Sequence, residues 1–450
     1  MEVQNQKAPE NRAQIKVVKF GGSSLASAEQ FMKVKDIITA EESRRFVVPS
    51  TPGKRFSGDT KVTDMLYECY NVSARGEDIT EIFAGVRQRY NQIIEGLGLD
   101  LDLSEEYTHI EWAIAHHAGR DYAASRGEYL NGMILAAYLG YDFIDPAPYV
   151  HFADNGVYDA ETSHNLLTAE LAKHTTGVIP GFYGSMPNGT IRTFSRGGSD
   201  ITGSIVARAV NADIYENWTD VNGFLMADPR IVENPKGIEI ITYRELRELS
   251  YMGAGVLHED AIFPVRFAGI PVNIRNTNNP GDPGTMIVSS TDKYDTESII
   301  TGVAGKKGFS VVNVEKAMMN AERGFGRKVL EAIENEGMSF EHLPSGIDTM
   351  SVVLNTAELE HCRERIVNRI CSLVEPDSIS IDDGLALVAV VGRGMVMAKG
   401  TAARVFNACG KAGVNIRMID QGSSELNIII GVVEEDFEKA LSAIYHEFVK

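Results

Sequence analysis

Apolar and polar positions follow two distinct regimes along this chain. From residue 15 to about 288, short β-branched runs recur between longer amphipathic stretches, which predicts an α/β layer structure around a mostly parallel sheet. Strands are expected at residues 15–20, 45–48, 177–179, 190–194, 212–216 and 271–275. Between the first two, residues 27–40 predict a helix: Ser27 precedes Gln30 at capping-box spacing, and Phe31, Val34 and Ile38 share a face. A second helix is expected after Gly197 and Gly198, with Ile201, Ile205 and Ala209 on a common stripe. The turn formers of NTNNPGDPGT at 276–285 read as the end of this first region.

Beyond it the chain repeats itself. Val329 and Val405, Ala332 and Ala408, and Gly337 and Gly413 each stand 76 residues apart, and the same offset carries 311–314 onto 387–390 and 351–354 onto 427–430. Each copy reads strand, glycine-containing turn, helix, glycine, strand, strand. Two such modules fit a paired ligand-sensing or dimerising unit better than a solenoid, which needs more repeats to bury its faces.

Composition narrows the function. The 450 residues correspond to about three domains at roughly 150 residues each. Lys and Arg number 43 against 62 Asp and Glu, and the net charge of −19 opposes a sequence-independent grip on nucleic acid or an anionic membrane, so neither partner is expected. Cys69, Cys362, Cys371 and Cys409 lie far apart without a CxxC or a His cluster, which fits reduced thiols and a cytoplasmic setting. Residues 1–14 form a polar tail, neither signal peptide nor anchor, and the longest apolar runs, such as 385–391, are strand-length. His116, His117, His151 and His258 have no metal-site spacing, so no protein-held metal is expected.

Candidate chemistry concentrates at strand-to-helix junctions. Lys19-Phe20-Gly21-Gly22-Ser23-Ser24 closes one strand before a helix, where glycines let backbone amides approach an anion and Lys19 adds a full charge. It lacks the spacing of a Walker A loop. Ser195-Arg196-Gly197-Gly198-Ser199-Asp200 is a second such junction, with Arg196 able to fork onto a carboxylate and Asp200 equally readable as a helix N-cap. Two cradles suit two anions, such as a phosphate chain and a carboxylate. The third cluster, Trp218-Thr219-Asp220-Val221-Asn222-Gly223 with Asp228-Pro229-Arg230, follows another strand, where open α/β sheets gather ligands; an ordinary turn explains it nearly as well.

Taken in order, KFGGSSL at 19–25, GEYLNG at 127–132, PGFYG at 180–184, SRGGSD at 195–200, WTDVNG at 218–223, DPR at 228–230 and VLH at 256–258 resemble the aspartokinases of the amino acid kinase fold family. The two repeats look like that family's paired α+β ferredoxin-like ACT domains. The resemblance implies a catalytic domain over 15–300 and ACT domains over 301–384 and 385–450, one of which is nested in the other in relatives. It implies transfer of the γ-phosphoryl group of ATP to the β-carboxylate of L-aspartate, with Mg²⁺ carried by ATP and feedback inhibition by lysine or threonine. A homodimer or dimer of dimers through the ACT domains is implied with it.

Carried over by position, Lys19 resembles the catalytic lysine and Asp200 an organiser of that lysine or of the metal. Arg196 resembles the clamp on the substrate α-carboxylate and Glu128 the partner of its amino group. Ser50, Thr63, Phe182 and Ser199 match other substrate-pocket positions. Gly21, Gly22 and Ser23 match the phosphate loop, and Thr219, Asp220 and Arg230 the nucleotide loop. For the effector, Gly324, Phe325 and Gly326, with Ser345 and Asp348, match strand ends where ACT modules hold an amino acid. The chain departs from the family at Gly255, where a lysine commonly stands, and at Leu225, where many relatives are aromatic; Lys54 and Arg55 are candidates to replace the missing charge. These departures motivate an alternative reading, a degenerate kinase retained as an amino-acid sensor. A related carboxylate kinase, such as N-acetylglutamate kinase, is a third, against which the paired ACT-like units stand.

Overall fold

The computed structural model describes residues 14–195, 197–255, 259–292 and 298–449. They cluster into two compact units, one holding the described residues up to 224, 239–243 and those between 256 and 293, the other 225–238, 244–255 and those beyond 294.

In the first unit the strands are β1 (Lys16–Phe20), β2 (Arg44–Pro49), β3 (Asp142–Phe143), β4 (Gly177–Val178), β5 (Tyr183–Ser185), β6 (Ile191–Thr193), β7 (Ile214–Thr219), β8 (Ile240–Thr242), β9 (Val272–Asn276) and β10 (Thr285–Val288). The helices of this part of the chain are α1 (Ala28–Thr39), α2 (Val62–Ala74), α3 (Thr80–Leu97), α4 (Ser104–Ala115), α5 (Arg120–Leu139), α6 (Ala160–Leu171), α7 (Gly198–Ala209), α8 (Tyr243–Tyr251) and α9 (Phe263–Ala268); α8 falls mainly in the second unit. Eight strands form one sheet in the order β3-β4-β2-β1-β7-β9-β10-β8, with every pair parallel except β9–β10; β5 and β6 make a separate hairpin.

The central strands are continuous apolar runs because both faces are covered, as parallel sheets require. Val17, Val18 and Phe20 of β1 are fully buried, and Phe31 and Val34 of α1 join Leu66, Phe83 and Ile134 from α2, α3 and α5 in the core of this unit.

Three local expectations differ from what forms. Ser27 is the N-cap of α1, but its side chain makes no capping bond, so the sequence spacing alone did not create a capping box. β7 begins at Ile214 and runs on to Thr219, past the expected end at 216, because β1 and β9 flank it and pair with it along that length. The turn-rich 276–285 stretch joins β9 to β10 inside the same sheet; it does not close the region. Gly284 there has a left-handed φ of 69°, and a Cβ would stand 1.9 Å from the Ile274 carbonyl oxygen, so the reversal requires glycine.

The second unit carries β11 (Gly302–Glu315), β12 (Thr349–Asn355), β13 (Ser378–Val391), β14 (Met418–Asp420) and β15 (Asn427–Val433), with α10 (Phe325–Glu334), α11 (Thr356–Leu359), α12 (Arg363–Val374), α13 (Thr401–Lys411) and α14 (Phe437–Phe448). The sequence repeat is visible element by element: α10 and α13 start 76 residues apart, as do α12 and residue 439 within α14. Its five strands form one antiparallel sheet, β12-β11-β13-β15-β14. The two longest strands, β11 and β13, each serve both copies. Ile379 and Ile381 of β13 pack on the core beneath α10 and α12, whereas Gly305 of β11 lies so close to the Phe437 ring of α14 that a Cβ would meet it at 2.6 Å.

Segments 225–238 and 244–255 join this unit through specific bonds. The Val303 amide donates to the Met226 carbonyl at 2.7 Å, and buried Glu245 takes the Arg393 guanidinium on both carboxylate oxygens at 2.9 Å. All four cysteines are free thiols. Among the described residues no helix is long and apolar enough to cross a membrane.

Candidate active site

The carboxyl ends of β1, β2 and β7 open into a cavity of about 560 Å³, the location where parallel α/β sheets bind ligands. Near the end of β1 stands Lys19, which is only 8% exposed, and its Nζ lies 2.5 Å from Oδ1 of Asp200 in the first turn of α7. The Asn217 amide of β7 donates to the same oxygen at 2.9 Å. Oδ2 of Asp200 has no partner among the described residues, so one carboxylate oxygen holds the lysine and the other is available to the cavity.

Glycines let the loops converge. The Gly53 amide donates to the Gly22 carbonyl at 2.7 Å, and a Cβ on Gly53 would stand 2.7 Å from the Gly22 carbonyl carbon. Gly21 donates its amide to the Trp218 carbonyl at 3.0 Å, pinning this turn to β7. A Cβ on Gly198 would come within 2.3 Å of the Phe182 ring, and one on Gly181 within 2.6 Å of the Ser199 Cβ. Phe182 itself holds a left-handed φ of 81°, an unfavourable conformation for an aromatic residue that its amide bond to Thr202 Oγ1 at 3.0 Å helps to hold. α7 begins at Gly198 and α2 at Val62, so two helix starts, whose free amides favour anions, meet the cavity wall at Ser199 and Thr63.

The deepest feature is Glu128 on α5, 5% exposed. Its Oε1 accepts the Thr51 amide at 3.2 Å, while Oε2 is buried without a partner, as are Thr51 Oγ1 and Asn131 Oδ1 nearby in the chain fold. Burial pushes this carboxyl up from 4.5 to about 7, against the hydrogen bond from the Thr51 amide that lowers it. The orphaned Oε2 of Glu128, in the cavity lining with Thr51, suits a donor-rich or cationic group.

The cavity therefore collects Lys19, Gly22, Ser23, Ser50, Thr63, Glu128, Phe182, Ser199, Asp200 and Asp220 from the sequence expectations. Gly21 and Thr219 stand just behind its wall, Thr219 Oγ1 lying 3.2 Å from Asp220 Oδ1. Arg230 is not part of the wall: it is 86% exposed and bound to Asp228, in a segment of the second unit. Arg196 and the VLH motif at 256–258 lie outside the described residues. Thr51, Gly53, Lys54 and Lys61 also line the cavity. The sequence offered little signal for Thr51 and Lys61, since neither sits in a glycine-rich junction.

In the second unit, Gly324 has a left-handed φ of 78° and caps α10, while Phe325 is buried in that unit's core. Asp348 accepts the Met318 amide at 2.9 Å and the Ile347 carbonyl accepts the Asn320 amide at 3.2 Å, so the Ser345–Asp348 turn and the 316–320 loop lie side by side.

Comparison with known proteins agrees with this architecture. Residues 14–276 match the amino acid kinase family and residues 388–448 an ACT domain. The chain is 41% identical to Aspartokinase 3 of Bacillus subtilis, over 96% of this chain and 98% of that protein, and 30% identical to the chloroplastic Aspartokinase 1 of Arabidopsis thaliana, over 96% and 80%. The crystal structure of Clostridium acetobutylicum aspartate kinase, described as an allosteric enzyme, superposes with a TM-score of 0.89 at 52% identity, covering 97% of this chain and all of that one. With the Lys19–Asp200 pair at the strand ends of an amino acid kinase sheet and a repeated α+β unit later in the sequence, the chain belongs to the aspartokinases.

Proposed function

We propose that this chain is an aspartate kinase, moving the γ-phosphoryl group of ATP onto the β-carboxylate of L-aspartate to give 4-phospho-L-aspartate, the entry to lysine, threonine and methionine synthesis. The observation that carries this reading is the conjunction, in one cavity, of the Lys19–Asp200 pair with an orphaned buried carboxylate oxygen on Glu128.

The chemistry needs no general base, since a β-carboxylate with a reference pKa near 3.9 is already ionised at neutral pH. The obstacle is bringing two anions together, which positioning and charge neutralisation overcome. Lys19 has three donors and spends one on Asp200, so the others serve the transferring oxygens. Gly22 and Ser23, with the first turn of α7, offer backbone amides to phosphate. Glu128 Oε2, with Thr51 in the same cavity lining, suits the substrate ammonium, while Ser50, Thr63 and Ser199 supply donors for its carboxylates and Arg196 the α-carboxylate clamp. Phe182 closes this side of the pocket. The free oxygen of Asp200, with Asp220, fits a Mg²⁺ brought in by the nucleotide, because Mg²⁺ is commonly held by one or two carboxylates plus substrate phosphates.

The repeat, the ACT match and the adjacent 316–320 and 345–348 loops support binding of an end-product amino acid, lysine or threonine, in the C-terminal unit. To this reading belong catalytic and ACT regions divided near 300 and 384, assembly through the ACT regions as a homodimer or dimer of dimers, and a cytoplasmic location. The test is trapping of the acyl phosphate with hydroxylamine, with and without lysine and threonine. Hydroxamate formation from L-aspartate and MgATP is expected, and its absence at millimolar aspartate overturns the reading. An effector must shift substrate affinity to count as allosteric.

A further inference from the structure

The loop between β2 and α2 carries cations that no motif absorbed. Lys54 and Lys61 both line the cavity, and neither ammonium group makes an ion pair or hydrogen bond among the described residues. Arg55, between them, is spent elsewhere: its guanidinium takes both oxygens of Asp59 at 2.9 Å and donates to Gln92 at 3.0 Å. The loop is held at both ends by buried Arg89, which donates to the Gly53 carbonyl at 2.5 Å and to Asp59 at 2.6 Å. Gly53 is locked against Gly22, so the base of the lysine-bearing turn is fixed relative to the Lys19 loop.

The cavity lining sets Lys54 and Lys61 against Asp220 and Glu128, since Lys19 is paired with Asp200, and Glu128 carries only part of a negative charge at neutral pH because burial pushes its carboxyl up to about 7. Lys61 occupies the N-cap position of α2, where a helix end favours anions and disfavours a cation. Two unpaired ammonium groups, together with the positive ends of α2 and α7, gather around one cavity. Such an arrangement becomes favourable when a polyanion sits between them.

We propose that Lys54 and Lys61 bind the polyphosphate chain of the nucleotide, adding to Lys19 the cationic charge that the transferring phosphoryl group needs. This rests on the kinase reading above and assigns to the β2–α2 loop a part in nucleotide recognition. Aspartate recognition stays with the Glu128 wall and α7.

The experiment compares wild type with Lys54→Gln, Lys61→Gln, the double variant and the Lys→Arg pair. Binding of MgADP is measured by calorimetry at two salt concentrations, and hydroxamate kinetics give KM for ATP and for aspartate separately. The double variant is expected to bind MgADP on the order of tenfold more weakly, with a flatter salt dependence and a parallel rise in the ATP KM, while the aspartate KM stays within about twofold and arginine retains affinity. Unchanged MgADP affinity in the double variant, or a loss confined to the aspartate KM, overturns the proposal. If wild-type protein forms no hydroxamate, the reaction assigned above fails, while the MgADP titration still decides the role of the lysines.

Discussion

Replacing Glu128 by Gln tests the carboxylate wall directly, because one substitution should raise stability and abolish substrate binding together. The folded protein holds this carboxyl at about 7, against an ordinary value of 4.5. Between those values the folded state keeps a proton that the unfolded chain has released, so stability falls as pH rises through the window and is lowest, relative to a neutral side chain, above it. A gap of about 2.5 pH units, at 1.36 kcal/mol each, gives a burden of about 3 kcal/mol at about pH 8. Glu128→Gln removes it, since the neutral amide keeps an oxygen for the Thr51 amide and carries no charge to desolvate. Denaturant unfolding of the substrate-free protein is therefore expected to show the variant more stable by about 2–3 kcal/mol at about pH 8 and nearly equal to wild type at about pH 4.5. In the wild type, only the ionised carboxylate receives the substrate ammonium, so the aspartate KM should rise about tenfold from about pH 8 to about pH 6 at saturating ATP, while the variant's KM is high and flat. A variant less stable than wild type at about pH 8, or a wild-type aspartate KM independent of pH across this range, would refute the reasoning.

Three further outcomes follow from particular contacts. Lys19→Met should leave folding intact and lower kcat by roughly 10²–10³, as for loss of one preorganised charge donor, and unchanged kcat in the trapping assay removes the residue from the chemistry. Gly53→Ala places a Cβ 2.7 Å from the Gly22 carbonyl carbon and 2.9 Å from the Ser23 amide nitrogen, where only backbone can yield. It should cost about 1–3 kcal/mol and raise the ATP KM, read by unfolding and kinetics together. Arg393→Ala removes the guanidinium from the fully buried Glu245 carboxylate and should cost about 3 kcal/mol in unfolding of the C-terminal unit; a change below about 0.5 kcal/mol would contradict the role assigned to the pair.

Much of the site was legible because its parts are local. Lys19 with Gly21 and Gly22, or Ser199 with Asp200, sit within one strand-to-helix junction, where backbone geometry and residue type carry the chemistry in a few consecutive positions. The repeat was legible for the same reason, since copying a module copies its spacing. What could not be read is what depends on distant segments meeting. Thr51 matters because Gly127 lets α5 approach it, with a Cβ there standing only 2.3 Å from Thr51 Oγ1. Gly53 matters because it touches Gly22, and Lys61 because Arg89, 28 residues on, fixes its loop.

The amino-acid pattern by itself determined the α/β layers, the duplicated C-terminal unit and the anion-binding junctions, all set by short-range periodicity and by glycines at strand ends. Tertiary structure alone decided that 276–285 turns back into the first sheet, that β11 and β13 each serve both repeats, and that segments 225–238 and 244–255 pack with the C-terminal strands. It also decided the charge state of Glu128. Its shift toward neutrality comes from desolvation, a property of everything packed around it and of no residue beside it in the chain.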